Sequence, residues 1–119
     1  MALICLLYEH AGKSVRSARE LLQAKDITGR SNAISKASGC VGLLIESLDL
    51  EGGGEISRNL LGLYGYMQNR LLEANLNQSD APLAEVQGLL SELHGAWAQL
   101  ADLESPMSRP QAVPQATRV

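Results

Sequence analysis

LDLEGGGEISRNLLGLYGYMQNRLLEANL, residues 48–76, holds a break and a helix in one run. Gly52, Gly53 and Gly54 would lose too much backbone entropy in a helix, so they predict a turn that ends one element and frees the next. Beyond them Leu60, Tyr64, Met67, Leu71 and Ala74 recur at spacings of four, three, four and three, which is the period of one helical face. The predicted helix covers about residues 55–76, with Glu55 at the positive end of its dipole. Leu61, Leu63, Leu72 and Leu76 fall off that face. The segment is therefore apolar over more of its circumference than packing on one side requires, which points to a bound partner.

The rest of the composition also favours helices. Among 119 residues there are one tryptophan, three tyrosines and no phenylalanine, so a core must be built from aliphatic side chains, as suits helices better than a sandwich. A chain of this length is a single domain. Ten lysines and arginines stand against thirteen aspartates and glutamates, a formal charge of -3, with no basic residue between 71 and 108. Nothing gathers into a phosphate-binding face, so nucleic acid is not an expected partner. Cys5 and Cys40 have neither zinc-ligand nor redox-pair spacing and read as small buried hydrophobes in a reducing compartment. The apolar run over residues 1–8 is too short to span a bilayer and has no basic flank or cleavage-like site. No membrane insertion is expected, and the protein reads as cytoplasmic.

Ahead of the glycine break, Ile4, Tyr8, Ala11, Val15, Ala18 and Leu22 keep a heptad rhythm and predict a helix over about residues 2–25. It starts without a capping residue, and this beginning reads as truncated. DITGRSN, residues 26–32, supplies turn and N-cap chemistry. The second helix is expected from about residue 31 to 48, with Ile34, Ala37, Val41, Leu44 and Leu48 on its face. Ser38, Gly39, Cys40 and Gly42 in its middle predict either close approach of a neighbouring helix or a shallow notch for another chain. After the third helix, Asp80 reads as an N-cap with Pro82 in the first turn. Leu83, Val86, Leu90, Leu93, Trp97 and Leu100 then alternate by three and four over about residues 81–103. SPMSRPQAVPQATRV, residues 105–119, has three prolines and no periodicity and is expected to be a disordered tail. Four helices with short connections predict an all-α protein, an antiparallel four-helix bundle over residues 1–104.

A bundle interior can hold a di-iron site through Glu-x-x-His pairs, but His10 directly follows Glu9 and His94 stands two residues after Glu92. Neither spacing puts both groups on one helical face, so no metal and no cofactor are expected. Ser14 and Ser57 have no locatable histidine and carboxylate partners, and the glycine run lacks the lysine and hydroxyl residue of a phosphate loop. No catalytic residue is assigned, and the chain is not read as an enzyme. Extra apolar residues on the third helix, small residues on the second and an acidic flank on the fourth together describe a binding module.

At residues 48–76 the chain resembles the flagellar secretion chaperone family FliS. LLYEHA at 6–11, DITGRSNAISKA at 26–37 and EVQGLLSELHGAW at 85–97 extend the likeness in the same order, and GGEI, LYGYM and EAN together carry most of its specificity. The resemblance implies a cytosolic export chaperone that binds the C-terminal segment of flagellin. Such a chaperone prevents premature polymerisation and keeps flagellin competent for type III secretion, with the flagellar export gate as a further implied partner. Recognition would be helix-in-groove, an amphipathic segment burying its anchors on the host. Ordering that segment opposes binding by about 2–5 kcal/mol, so a broad apolar contact is needed.

Carried onto this sequence, the family pattern implies partner contacts at Leu60, Leu63, Tyr64, Tyr66, Met67 and Asn75, and at Ile34, Ala37 and Val41 of the second helix. On the residues alone, Leu60, Tyr64 and Met67 serve as well for bundle core, and Asn75 for a helix cap or a partner of loop backbone. Family members usually carry a tyrosine-containing segment ahead of the first helix that can cover the groove. They also have bulkier aliphatics where this chain has Gly39 and Cys40, and an acidic or polar residue where it has Gly65. These departures keep a second reading open, a homodimeric structural or regulatory bundle of the same fold that has lost flagellin binding.

Overall fold

Each apolar face read from the sequence forms one helix. The computed structural model describes residues 2–104, with side chains over residues 3–100; the tail expected over 105–119 lies outside the described residues. The helices are α1 (Ala2–Gln23), α2 (Ile27–Glu46), α3 (Gly54–Asn77) and α4 (Asp80–Glu104). α1 and α3 each pack on α2 and α4 and lie across the diagonal from one another. Arg19, late in α1, bonds Asp80 at the start of α4, and Arg30, early in α2, bonds Asn75 near the end of α3. At the other end Trp97, late in α4, bonds Tyr8, early in α1. Neighbouring helices therefore run antiparallel, as expected.

The core is Tyr8, Ala11, Val15 and Ala18 of α1, Ile34, Ala37, Val41 and Leu44 of α2, Tyr64, Met67, Leu71 and Ala74 of α3, and Leu83, Val86 and Leu90 of α4. Alanines interleaved with leucines and Met67 let facing layers interdigitate at interior density. Leu93 and Trp97 pack partly against this core, while Leu100, one turn further, stays exposed where the bundle opens.

Helix ends account for the main departures from expectation. α1 stops at Lys25 in the left-handed region (φ 62°), with Asp26 N–H donating to the Leu21 carbonyl at 3.0 Å and Lys25 N–H to that of Leu22 at 3.1 Å, a Schellman ending. Asp26 then caps α2 at once, its carboxylate accepting from Gly29 N–H at 2.9 Å. α2 thus begins at Ile27 rather than near residue 31, because one aspartate satisfies the free first-turn donors that a longer loop would otherwise leave. In the glycine break, Gly52 N–H donates to Asp49 Oδ1 at 2.8 Å. A Cβ at Gly53 would strike Ser57 and the Asp49 carbonyl, and Gly54 has φ 60°. This is a turn that needs glycine at its last two positions. The Asp80 carboxylate, expected to cap α4, is taken by Arg19.

The small residues of α2 do not mark a close helix crossing. A Cβ at Gly39 would meet nothing within 4 Å, and one at Gly42 only Gln68 Nε2 at 3.7 Å. Gly62 and Gly65 of α3 are equally open.

Candidate partner-binding surface

The residues singled out from the sequence fall into three groups. Ile34, Ala37, Val41, Tyr64 and Met67 are buried in the bundle interior. Leu60 and Leu63 are half-buried against that core. Tyr66 is exposed, and its hydroxyl donates to Glu85 Oε2 at 2.7 Å. Asn75 is half-buried, and its side-chain oxygen accepts from Arg30 Nε and from the Ser31 hydroxyl, each at 3.1 Å. Of the nine, Leu60, Leu63 and Tyr66 offer apolar surface, while Asn75 ties α3 to α2.

The larger apolar surface belongs to Leu61, Leu72 and Leu76, which are 36%, 57% and 70% exposed. Gln68 Nε2 donates to the Ser38 carbonyl at 3.2 Å and so marks the side of α3 that faces α2. Leu61 and Gly65 stand seven and three residues before Gln68 and Leu72 four after it, on the same side by helical periodicity. Across from them α2 offers Ser38, Gly39 and Gly42. Exposed leucines of α3 thus stand beside small residues of α2, and this flank of the bundle reads as a lateral channel. The off-face positions of Leu61, Leu72 and Leu76 are its signal in the sequence.

On the other flank of α3, toward α4, Tyr66 sits in a polar cluster. Arg70 Nε donates to Glu85 Oε1 at 2.7 Å and Arg70 Nη1 to Glu73 Oε1 at 2.8 Å. The Tyr66 hydroxyl and then Arg70 hold the Glu85 carboxyl below its usual range, and that carboxylate raises the Tyr66 phenol. Such exposed pairs, screened by solvent, contribute little to stability. They orient Tyr66 more than they stabilise the fold.

At the end of the bundle where α1 begins and α4 finishes, the hydroxyls of Tyr8 and Tyr64 bond one another across the diagonal, and Trp97 Nε1 donates to Tyr8 Oη at 3.0 Å. Burial is the first cause that pushes both phenols upward, so they stay neutral. Beside them a cleft of about 340 Å³ is lined chiefly by Ile4, Leu48, Ile56, Leu60, Tyr64 and Trp97. No periodicity announces this cleft, because its walls come from α1, α3, α4 and the α2–α3 connection. Among the described residues no cluster of histidine, cysteine, aspartate and glutamate could hold a metal, and no helix is long and apolar enough to cross a membrane. Cys5 and Cys40 are free and half-buried, with the Cys40 thiol pushed up by burial. The exposed leucines of α3 and the end cleft offer apolar contact surface.

Known proteins carry the same pattern. The family described as "Flagellar protein FliS" matches residues 1–104. The flagellar secretion chaperone FliS of Salmonella typhimurium is 40% identical over 99 residues, covering 82% of this chain and 73% of the relative. The flagellar secretion chaperone FliSB of Pseudomonas aeruginosa is 40% identical over 95 residues, covering 80% and 75%. The FliS of Escherichia coli is 32% identical over 99 residues, covering 82% and 72%. The antiparallel bundle, the glycine break ahead of α3 and the match along residues 1–104 lead to one conclusion: this chain belongs to the FliS family of flagellar secretion chaperones.

Proposed function

We propose that this protein is a cytoplasmic export chaperone that takes up the C-terminal segment of flagellin on α3 and the adjoining flank of α2. The observation that carries this reading is the exposed leucine wall of Leu61, Leu72 and Leu76 beside the small residues of α2. Covering what remains exposed of these three side chains is worth about 1–2 kcal/mol each. That sum is of the same order as the roughly 2–5 kcal/mol needed to order a free segment into a helix. The contact must therefore extend further, and Leu60 at the end cleft, Tyr66 on the α4 flank and half-buried Leu63 add apolar surface away from the channel. Ile34, Ala37, Val41, Tyr64 and Met67 act from beneath by shaping the helices that carry the channel, and Asn75 by holding α3 against α2. A segment held in this way is withdrawn from self-association and kept ready for export.

Titrating the protein with a synthetic peptide of the flagellin C-terminal segment tests the reading by calorimetry and circular dichroism. Saturable binding with a gain in helicity is the expected result, and its absence overturns the proposal. A second reading has a specific observation in its favour, since the same exposed leucines suit another copy of this chain. Light scattering of a dimer that persists in excess peptide would establish that reading instead.

A further inference from the structure

The side of the bundle away from α3 has a different chemistry. Along the outward side of α1, Glu9, Lys13, Arg16 and Glu20 follow one another at helical spacing, and all four are exposed. Toward α4 they border a cleft of about 350 Å³, lined by buried Tyr8 and Leu90 and by Arg16, Gln87, Ser91 and His94. Toward α2 lies another of about 290 Å³, with Ser14, Ser17, Asn32 and Lys36 in its lining. Lys13 lines both.

Donors outnumber carboxylates in these clefts. Among the described residues Glu9 is the one carboxylate lining the first, and none lines the second. Arg16 and Lys36 have no ion pair among the described residues, and Lys13 meets Glu9 only at 3.8 Å, with both side chains exposed. Gln87 accepts from Arg19 Nη1 at 2.7 Å through its carbonyl, which leaves its amide N–H groups to donate. The Tyr8 ring stacks on His94, with 6.4 Å between centroids and 14° between planes, and so holds the imidazole beside the cleft. Residues 71–108, by contrast, carry six acidic and no basic side chains. An approaching anion is therefore repelled by α4 and drawn toward α1 and the adjoining side of α2.

We propose that the outer face of α1, with the clefts on either side, docks an acidic segment of a second protein, whose carboxylates meet Lys13, Arg16 and Lys36 and accept from Gln87 and Ser91. A nucleic acid fits less well. Glu9 and Glu20 close the basic stretch at both ends and would oppose an unbroken row of phosphates, whereas a polypeptide can space its carboxylates to avoid them. A second copy of this chain also has little to offer, because Asp80 and Glu85 of α4 are already held by Arg19 and Arg70. α1 lies across the diagonal from α3, so this partner leaves the lateral channel open, and the inference stands apart from the flagellin reading.

Fluorescence anisotropy with a labelled synthetic peptide rich in glutamate tests this on the full-length protein, the same peptide with glutamine in place of glutamate being the control. Saturable binding of the glutamate peptide is expected, weakening as salt screens the charges. Lys13→Glu and Arg16→Glu should each weaken it roughly two- to fivefold, the scale of one exposed ion pair, while Arg58→Glu on α3 should leave it unchanged. In an NMR correlation spectrum the Gly12 and Ser91 amides should shift on binding and those of Gly62 and Gly65 should not. All three variants change exposed residues and should melt near the parent protein. Absence of saturable binding, equal binding of the glutamine peptide, or an equal loss from Arg58→Glu would overturn the proposal. So would tighter binding of a single-stranded RNA oligomer at the same amides, or a dimer that the peptide disperses, since the occupant would then be a nucleic acid or a second copy.

Discussion

Where α1 turns into α2 and α3 into α4, Arg19 grips Asp80 through bonds of 2.8 and 2.9 Å and reaches Gln87 at 2.7 Å. Beside it Arg30, 4% exposed, is held by the Asn75 side chain. At the opposite end the long-range polar fastening is the chain of Tyr8, Tyr64 and Trp97, directed inward, while Leu3, Leu6, Leu50 and Ile56 stand in water. The first end satisfies its polar groups within the chain, with Ile27 and Leu76 as its exposed large apolar side chains. The buried Arg30 tolerates a neutral acceptor because it lies at the carbonyl end of α3, where the helix dipole favours a cation. The second end satisfies its polar groups too, but leaves apolar surface whose burial would release free energy. The two poles thus differ in how they are fastened, by charged side chains at one and by a buried hydroxyl chain at the other.

Substitutions that break this contrast should differ widely in effect. Tyr64→Ala removes a fully buried ring that also anchors the hydroxyl chain, and should cost about 3–5 kcal/mol in urea denaturation. Tyr64→Phe should cost only about 1 kcal/mol, since Tyr8 keeps the Trp97 donor. At the closed end, Asn75→Ala strips the buried Arg30 guanidinium of its side-chain acceptor and should cost about 1–3 kcal/mol; an unchanged midpoint would show that end to be less tightly locked than its geometry implies.

The two poles should also answer to opposite extremes of pH. Tyr8 and Tyr64 titrate above the ordinary phenol range when folded, so their contribution is fully present below about pH 10, where free phenols ionise, and is lost as pH rises beyond it. Tyrosinate absorbance should appear together with unfolding. Asp80 is held low by Arg19, so its contribution is present above about pH 4 and lost as pH falls through the depressed value. Because that pair is partly exposed, Arg19→Gln should cost at most about 1 kcal/mol, less in high salt. Leu72→Ser should change stability by less than about 0.5 kcal/mol while weakening the flagellin peptide in calorimetry. Equal binding by parent and variant would remove the leucine wall from the contact.

Much of this contrast is legible in the order of the amino acids. The heptad faces lead to the buried side chains of all four helices, and three of the four leucines off the α3 face, Leu61, Leu72 and Leu76, are exposed, while Leu63 is half-buried against the core. Helix starts are legible only where a breaker stands. The glycine break places α3 closely, but the start of α2 reads several residues late because DITGRSN holds one ending and one cap in tandem, and its turn-forming residues cannot say which is which. Five of the nine residues matched to the family pattern turn out to be interior, because an apolar period reports that a face is covered and not by what. Asn75 is equally open to either reading, since its partners Arg30 and Ser31 lie 45 and 44 residues away.

The amino-acid sequence by itself determined the helices, their inward faces, a turn at Gly52, Gly53 and Gly54, and an excess of leucine on α3, because these follow from local backbone entropy and helical period. Only the tertiary structure decided where that excess lies. Packing α3 between α2 and α4 buried Tyr64 and Met67 and left Leu61, Leu72 and Leu76 beside open glycines. It also brought Tyr8, Tyr64 and Trp97 from three helices to one hydroxyl chain, a meeting that no local pattern encodes because each member is satisfied by a residue at least 56 positions away.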